Sequence, residues 1–131
     1  MYELESYGCY LNKTLSLVPQ EILTFWFAGN PTAWREAWFK KDPQFDAEIK
    51  SRFETWLEPA KNGHLKDWQA TPEGALALTI LLDQFPRNIY RGMPQSFAYD
   101  PFALQSAESA LGRGFDQQMT TAQRMFLYLP F

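Results

Sequence analysis

Apolar residues along this chain recur with the three-to-four-residue spacing of helices, and prolines stand where several of those helices begin. Proline is favoured at the first helical position, and a Ser, Thr, Asp or Asn before it caps the helix. No alternating polar and apolar run of useful length indicates a strand. The pattern predicts an all-α bundle of about five main helices, over residues 19–28, 43–60, 72–85, 101–111 and 121–129, with a short additional helix from residue 31.

The segment 72–85 is apolar nearly all round, which is typical of a buried central helix. Pro86 is predicted to end this helix, because a proline inside a helix removes one backbone hydrogen bond and clashes with the preceding turn. Residues 86–99 are then predicted to form an irregular connection.

Composition limits the classes of function. The 131 residues suffice for one domain, and 46% hydrophobic with 17% aromatic residues indicates a folded chain. A net charge of −3 gives no support for a nucleic-acid partner, which would require clustered Lys and Arg. Because Cys9 and His64 are the only residues of their types, a zinc site built from Cys and His is excluded, and we predict no metal and no cofactor. His64 follows a turn glycine and is predicted to lie at the surface.

The chain shows no secretory signal over residues 1–18, and its longest apolar stretch, residues 75–82, is far below the roughly 20 residues of a membrane span. We therefore predict a cytoplasmic protein without a membrane partner. Residues 1–18 are predicted to be a poorly ordered extension, and residues 19–131 a single helical domain. Cys9 lies in that extension with no His near it, so a catalytic thiol is not expected there.

The best candidate for a site is the stretch LLDQFPRNIYRG at residues 81–92. It places five polar residues at the end of the most apolar helix, and burying such groups is costly unless they pair or bind a ligand. The candidate ligand-binding residues here are Asp83, Gln84, Arg87, Asn88 and Arg91.

Two interpretations of these residues stay open. Asp83 is in helical register with Leu76 and Ile80, so it points toward the core, and Arg87 follows four residues later. A buried ion pair between Asp83 and Arg87 would fix the end of the helix. Alternatively, Arg87 and Arg91 bind a small anion through a carboxylate or phosphate.

The tryptophans and three further aspartates have simpler interpretations. Trp34 and Trp38, spaced i,i+4 on the short helix, are the tryptophans predicted to be partly exposed, and we include them as candidate ligand contacts. The other tryptophans are expected to pack in the core. Asp42 and Asp100 precede prolines and are predicted to cap helices, and Asp46 lies in a first helical turn, where the helix dipole favours negative charge.

These segments resemble a largely bacterial family of all-helical, tetratricopeptide-like proteins, domain-of-unknown-function family 924. The resemblance implies stacked helices, and it does not imply any particular activity. Its most specific element is residues 81–92, and the other matching segments are residues 25–27, 38–46, 52–53, 63–68, 71–78, 96–100 and 124–131.

Two features depart from that family. Residues 1–18 do not match it, and similar proteins continue beyond the position of Phe131 with an acidic, His-containing segment and further helices. We therefore expect that C-terminal helices are missing. The apolar end at residues 127–131 would then leave an uncovered surface through which the chain could self-associate.

No constellation with catalytic spacing appears, so catalytic residues cannot be assigned and enzyme activity stays open. The sequence favours a binding module for a protein or peptide partner. The alternative is a protein that binds a small anionic metabolite, or an enzyme acting on one, with a polar pocket around Asp83, Gln84, Arg87 and Arg91.

Overall fold

A computed structural model describes residues 16–131, and these form helices and turns with no strand among them. The six α-helices are α1 (Pro19–Phe27), α2 (Pro43–Phe53), the one-turn α3 (Leu57–Lys61), α4 (Pro72–Ile89), α5 (Asp100–Gly112) and α6 (Thr121–Tyr128). The predicted all-α class is confirmed, with five helices of eight or more residues in this part of the chain. The tetratricopeptide-like stacking stays a prediction.

Helix α4 lies at the centre, and each of the other α-helices packs against it. Every residue from 74 to 83 is buried, as the apolar pattern predicted. The hydroxyl of Thr79 on this buried face donates to the Ala75 carbonyl at 2.9 Å and lies 2.9 Å from the hydroxyl of Ser106 in α5. These two buried hydroxyls are thus satisfied within the protein. None of the helices among residues 16–131 is long and apolar enough to cross a membrane.

The prediction that Pro86 ends the central helix is wrong. Helix α4 continues through Pro86 to Ile89, and the Tyr90 N–H donates to the Pro86 carbonyl at 2.9 Å. A proline costs the helix one hydrogen bond, and here the last turn is stabilised by contacts that its own side chains make with other helices. Residues 86–99 are also less irregular than predicted, since Pro94–Phe97 forms a 3₁₀ turn.

Two other predicted helices differ from the structure. The short helix from residue 31 is limited to a 3₁₀ turn at Glu36–Trp38, because the Asn30 side chain accepts from the Thr32 N–H at 3.0 Å in a turn and Arg35 is extended. The helix predicted over residues 43–60 is α2, a 3₁₀ turn and then α3. Pro59 explains this restart, because it lies in the first turn of α3, where its missing N–H is not needed.

The core is aromatic and centred on Trp26, which is 1% exposed. Its ring lies 5.3 Å from that of Phe126 and 5.7 Å from that of Phe85, and Phe53 lies 4.8 Å from Phe85. Such ring pairs stabilise beyond their buried area. Trp56 and Trp68 are partly buried against this core, as predicted, and His64 is exposed.

Only residues 16–18 of the predicted N-terminal extension lie in the described part of the chain. Leu17 is 8% exposed and belongs to the core. The prediction for residues 1–15, and with it that for Cys9, lies outside the described residues.

Candidate functional site

The polar residues predicted from the sequence surround the last two turns of α4, where they bind neighbouring helices in two groups. Arg87 contacts α5, and Asp83 and Gln84 lie beside it. Asn88 and Arg91 contact α2 instead. The structure therefore brings the five residues to one end of the helix and divides them between its two flanks.

Arg87 is enclosed by several acceptors. Its guanidinium donates to the two carboxylate oxygens of Asp100 at 2.9 and 3.2 Å and to the Ser96 carbonyl, and it lies 4.7 Å from the centre of the Phe97 ring. The expected helix cap at Asp100 is wrong, because its side chain is bound by Arg87 and Tyr99 stands at the N-cap position. The Asp42 cap is confirmed, since Asp42 accepts from the Gln44 and Phe45 N–H groups.

Asp83 is 4% exposed and lies behind Arg87. Burial raises the pKa of this carboxyl, although the hydrogen bond from Gln84 at 2.7 Å and the charge of Arg87 act in the opposite direction. The predicted ion pair between Asp83 and Arg87 exists at 3.8 Å, but the bidentate partner of Arg87 is Asp100. The ion pair between Arg87 and Asp100 connects the end of α4 to the start of α5.

Asp46 in α2 holds the other group. It accepts from the Arg91 Nε at 2.8 Å, from an Arg91 terminal nitrogen at 3.0 Å and from the Asn88 amide at 2.8 Å. Burial alone would raise the pKa of Asp46, but the hydrogen bonds from Arg91 and Asn88 hold that pKa below its ordinary value. Sequence reasoning assigned Asp46 only to a helix turn, because nothing local links it to residues more than 40 positions away.

The lowered pKa of Asp46 leads to a pH-dependent prediction. The ionised form is favoured by the fold, so its stabilisation is present above the ordinary pKa of 3.8 and is lost as the pH falls through the lower folded value. We expect Asp46→Asn to reduce the free energy of unfolding by about 2 kcal/mol near neutral pH and by progressively less in acid. Urea denaturation across the pH range measures both values.

Glu48→Gln provides the matched control on the same helix. Glu48 is 54% exposed and pairs with Arg52 at 3.5 Å across one helical turn, so its replacement is expected to change stability by less than about 0.5 kcal/mol. A deficit for Asp46→Asn that is equal at neutral and acidic pH would refute the role of the carboxylate charge.

Two tyrosines that the sequence did not single out complete this end of the bundle. The Tyr90 hydroxyl donates to Glu54 at 2.9 Å, and the Tyr99 hydroxyl donates to Glu58 at 2.6 Å. Burial and the Glu54 carboxylate raise the pKa of Tyr90 to about 12, and burial and the Glu58 carboxylate also raise the pKa of Tyr99. Both tyrosines therefore stay neutral hydrogen-bond donors that join the segment after α4 to the region of α2 and α3.

A second candidate surface lies between α1 and α2 and consists of Trp34, Trp38 and Phe39; we call it the aromatic patch. Trp34 is 63% and Phe39 61% exposed, and their ring centres are 5.4 Å apart. Trp38 lies 5.7 Å from Trp34 and 4.8 Å from Phe126 of α6. Both tryptophans were predicted to be partly exposed; Trp38 is, and Trp34 is more exposed than predicted.

The aromatic patch is firmly attached to the core. The Trp38 indole N–H donates to the Trp26 carbonyl at 2.9 Å. The Arg35 guanidinium donates to the carbonyls of Phe25 and Trp26 at 2.9 and 2.8 Å. These carbonyls lie in the last turn of α1, where the helix end leaves backbone acceptors without an intrahelical partner, and Arg35 supplies that partner.

The sequence profile of the family described as bacterial proteins of unknown function (DUF924) matches residues 22–131. The chain belongs to this family. The profile covers α2–α6, the aromatic patch and both polar groups at the end of α4, so the resemblance found in the sequence is confirmed.

A solved structure is similar to this chain over most of its length. It is a protein of unknown function from Agrobacterium tumefaciens, with 39% sequence identity and a TM-score of 0.78. The match covers 86% of this chain and 61% of that chain, so the present chain spans about three fifths of the length of its relative. No curated protein matches this chain.

Proposed function

We propose that this chain is a binding module for a protein partner and that the aromatic patch is its contact surface. The observation that carries the proposal is the exposure of two adjacent large rings, Trp34 and Phe39, each more than 60% accessible. Contiguous exposed apolar surface is typical of interaction sites, and tryptophan is enriched among the residues that dominate binding energy.

Rigidity supports the same proposal. Arg35 fixes the backbone beneath the aromatic patch through two hydrogen bonds, and Trp38 is held both by its indole hydrogen bond and by Phe126. A surface that is already ordered loses little conformational entropy on binding. The aromatic patch thus meets a main requirement of a preformed docking surface.

The charges around the aromatic patch indicate the chemistry of the partner. Glu36 pairs with Lys40 at 3.8 Å, and the partly buried Arg35 donates to backbone carbonyls, so all three of these charged side chains already have partners. Recognition would therefore rest on apolar contact. We propose that the partner presents an amphipathic helix with bulky aliphatic side chains. A cytoplasmic location is part of this proposal, because a single cysteine requires no oxidising compartment.

Removing the exposed rings tests the proposal. The probe is a synthetic peptide of about 18 residues with leucines at helical spacing and neutral polar residues elsewhere. We expect saturable binding, followed by tryptophan fluorescence, that weakens at least about tenfold in the double variant Trp34→Ala/Phe39→Ala. Because binding would be apolar, we expect little change in affinity when the salt concentration rises.

Phe97→Ala is the control, because Phe97 is 60% exposed and lies outside the aromatic patch. Its affinity for the peptide should equal that of the unmodified protein. Equal peptide binding by the double variant, or no binding by the unmodified protein, would contradict the proposal. Self-association that the double variant abolishes, measured by analytical ultracentrifugation, would assign the aromatic patch to a second copy of this chain and would overturn the assignment to a partner helix.

A further inference from the structure

Arg91 borders an open groove between the start of α2 and the end of α4. The groove has a volume of about 430 Å³, which is in the range of small-molecule sites. It is independent of the aromatic patch, and its lining includes Lys41, Asp46, Lys50, Asn88, Ile89 and Arg91.

The groove carries an excess of positive charge. Lys41, Lys50 and Arg91 contribute three positive charges and Asp46 one negative charge, which leaves a net charge of +2. Among residues 16–131, neither lysine has a carboxylate oxygen within 4.0 Å, whereas Lys40 and Lys61 both have one. Because Asp46 binds Arg91 directly, the excess positive charge lies on the two lysines, of which Lys41 also interacts with Asp46 at longer range.

Arg91 is oriented in advance for an anion. Asp46 occupies its Nε and one terminal nitrogen, and Asn88 fixes Asp46 in turn. A guanidinium has five N–H donors, and two of them are used here, so three remain for a ligand. The side chain is 39% exposed, which leaves those donors accessible. Arg87 is exposed to a similar extent, 36%, but three of its donors already bind Asp100 and the Ser96 carbonyl.

We propose that this groove binds a small organic molecule through a compact dianionic group. Arg91 and the two lysines would hold the anion, because charge-assisted hydrogen bonds to phosphate or carboxylate oxygens are strong and directional. Pro43, Ala47 and Ile89 offer apolar surface in the same groove for the remainder of the ligand.

The probe for this proposal is phenyl phosphate, which combines a dianion with an apolar ring. We expect isothermal titration calorimetry to show saturable one-to-one binding that weakens as salt is added. The double variant Lys41→Ala/Lys50→Ala is expected to bind at least about tenfold more weakly. Both lysines are exposed, so their removal leaves the core unchanged.

Lys61→Ala/Lys66→Ala is the matched control, because it removes two exposed positive charges that line a different cavity. Its affinity for phenyl phosphate should remain within about twofold of that of the unmodified protein. An equal loss in both double variants would show a general charge effect and overturn the site. Absence of saturable binding at about ten millimolar, well above the usual range for metabolites, would also overturn it.

Discussion

Replacing Gly74 by alanine is expected to lower the free energy of unfolding by about 3 kcal/mol. In most helices this substitution stabilises, because glycine in a helix costs about 1 kcal/mol relative to alanine. At Gly74 an added Cβ would lie 2.1 Å from the carbonyl oxygen of Trp68 and 2.8 Å from its carbonyl carbon. These are backbone atoms of the 3₁₀ turn Lys66–Ala70, which cannot rotate away, so that turn has to separate from α4.

Gly112→Ala is the matched comparison, since Gly112 ends α5 and an added Cβ there meets no heavy atom within 4 Å. Its effect should lie between no change and a gain of about 1 kcal/mol. Urea denaturation followed by circular dichroism measures both variants. If Gly74→Ala is as stable as the unmodified protein, the close packing of the 3₁₀ turn on α4 described above is incorrect.

Arg87→Ala is expected to cost about 3 kcal/mol of stability. The variant loses the bidentate bond to Asp100, the bond to the Ser96 carbonyl and the contact with Phe97. It also leaves Asp83 buried with no positive charge nearby, and the charge of Asp100 further disfavours ionisation of Asp83. Removing one member of a buried charged group is costly mainly because the other member stays behind.

The pH dependence distinguishes this mechanism from a loss of packing. Burial raises the pKa of Asp83, so the protonated form is favoured by the fold; the associated stability is present below the ordinary pKa of 3.8 and is lost as the pH rises through the folded value. Without Arg87 this loss increases. The deficit of Arg87→Ala should therefore be larger at neutral than at acidic pH, and chemical denaturation at several pH values measures it.

Arg87→Lys is the control for charge, because it keeps a cation but lacks the planar guanidinium that binds both oxygens of Asp100. It should recover only part of the stability. A deficit for Arg87→Ala below about 0.5 kcal/mol, as for ordinary surface residues, would show that Arg87 does not connect α4 to α5.

Local signals in the sequence were sufficient for much of the fold. Thr71 before Pro72 caps α4 by accepting from the Gly74 N–H at 3.0 Å, and Thr120 with Gln123 forms a capping box at the start of α6. The apolar segment 75–82 is buried as its pattern indicated. Pro86 shows where such local signals fail. The proline predicted a break in the helix, but α4 continues because the turn after Pro86 makes contacts with other helices.

The candidate site was only partly predictable, because its partners are distant in sequence. Asp83 was correctly placed toward the core by helical register, since that is a property of one helix. The partners of Arg87 and Arg91 are Asp100 and Asp46, which lie 13 and 45 residues away. Helical spacing carries no information on such pairs, and a proline after Asp100 indicated a cap instead. The same limit applies to the tyrosine–glutamate pairs.

The two tryptophans of the aromatic patch were predictable, but the conformation of their segment was not. Spacing of four residues indicated that Trp34 and Trp38 share a helix face, but the segment is mostly turn. Arg35 explains the difference, because it binds two carbonyls in the last turn of α1 and holds the segment against the core. Phe39 joined the patch only once the structure showed its ring beside Trp34.

The most direct test of the proposed binding surface is a nuclear magnetic resonance titration that follows the indole N–H signals of the five tryptophans. The leucine-rich peptide should shift the signal of Trp34 most and leave that of Trp26, which is 1% exposed, unchanged. Assignment follows from the single signal missing in Trp34→Ala. If the signal of Trp34 stays in place while the peptide binds, the partner contacts another surface and the aromatic patch is not the binding site.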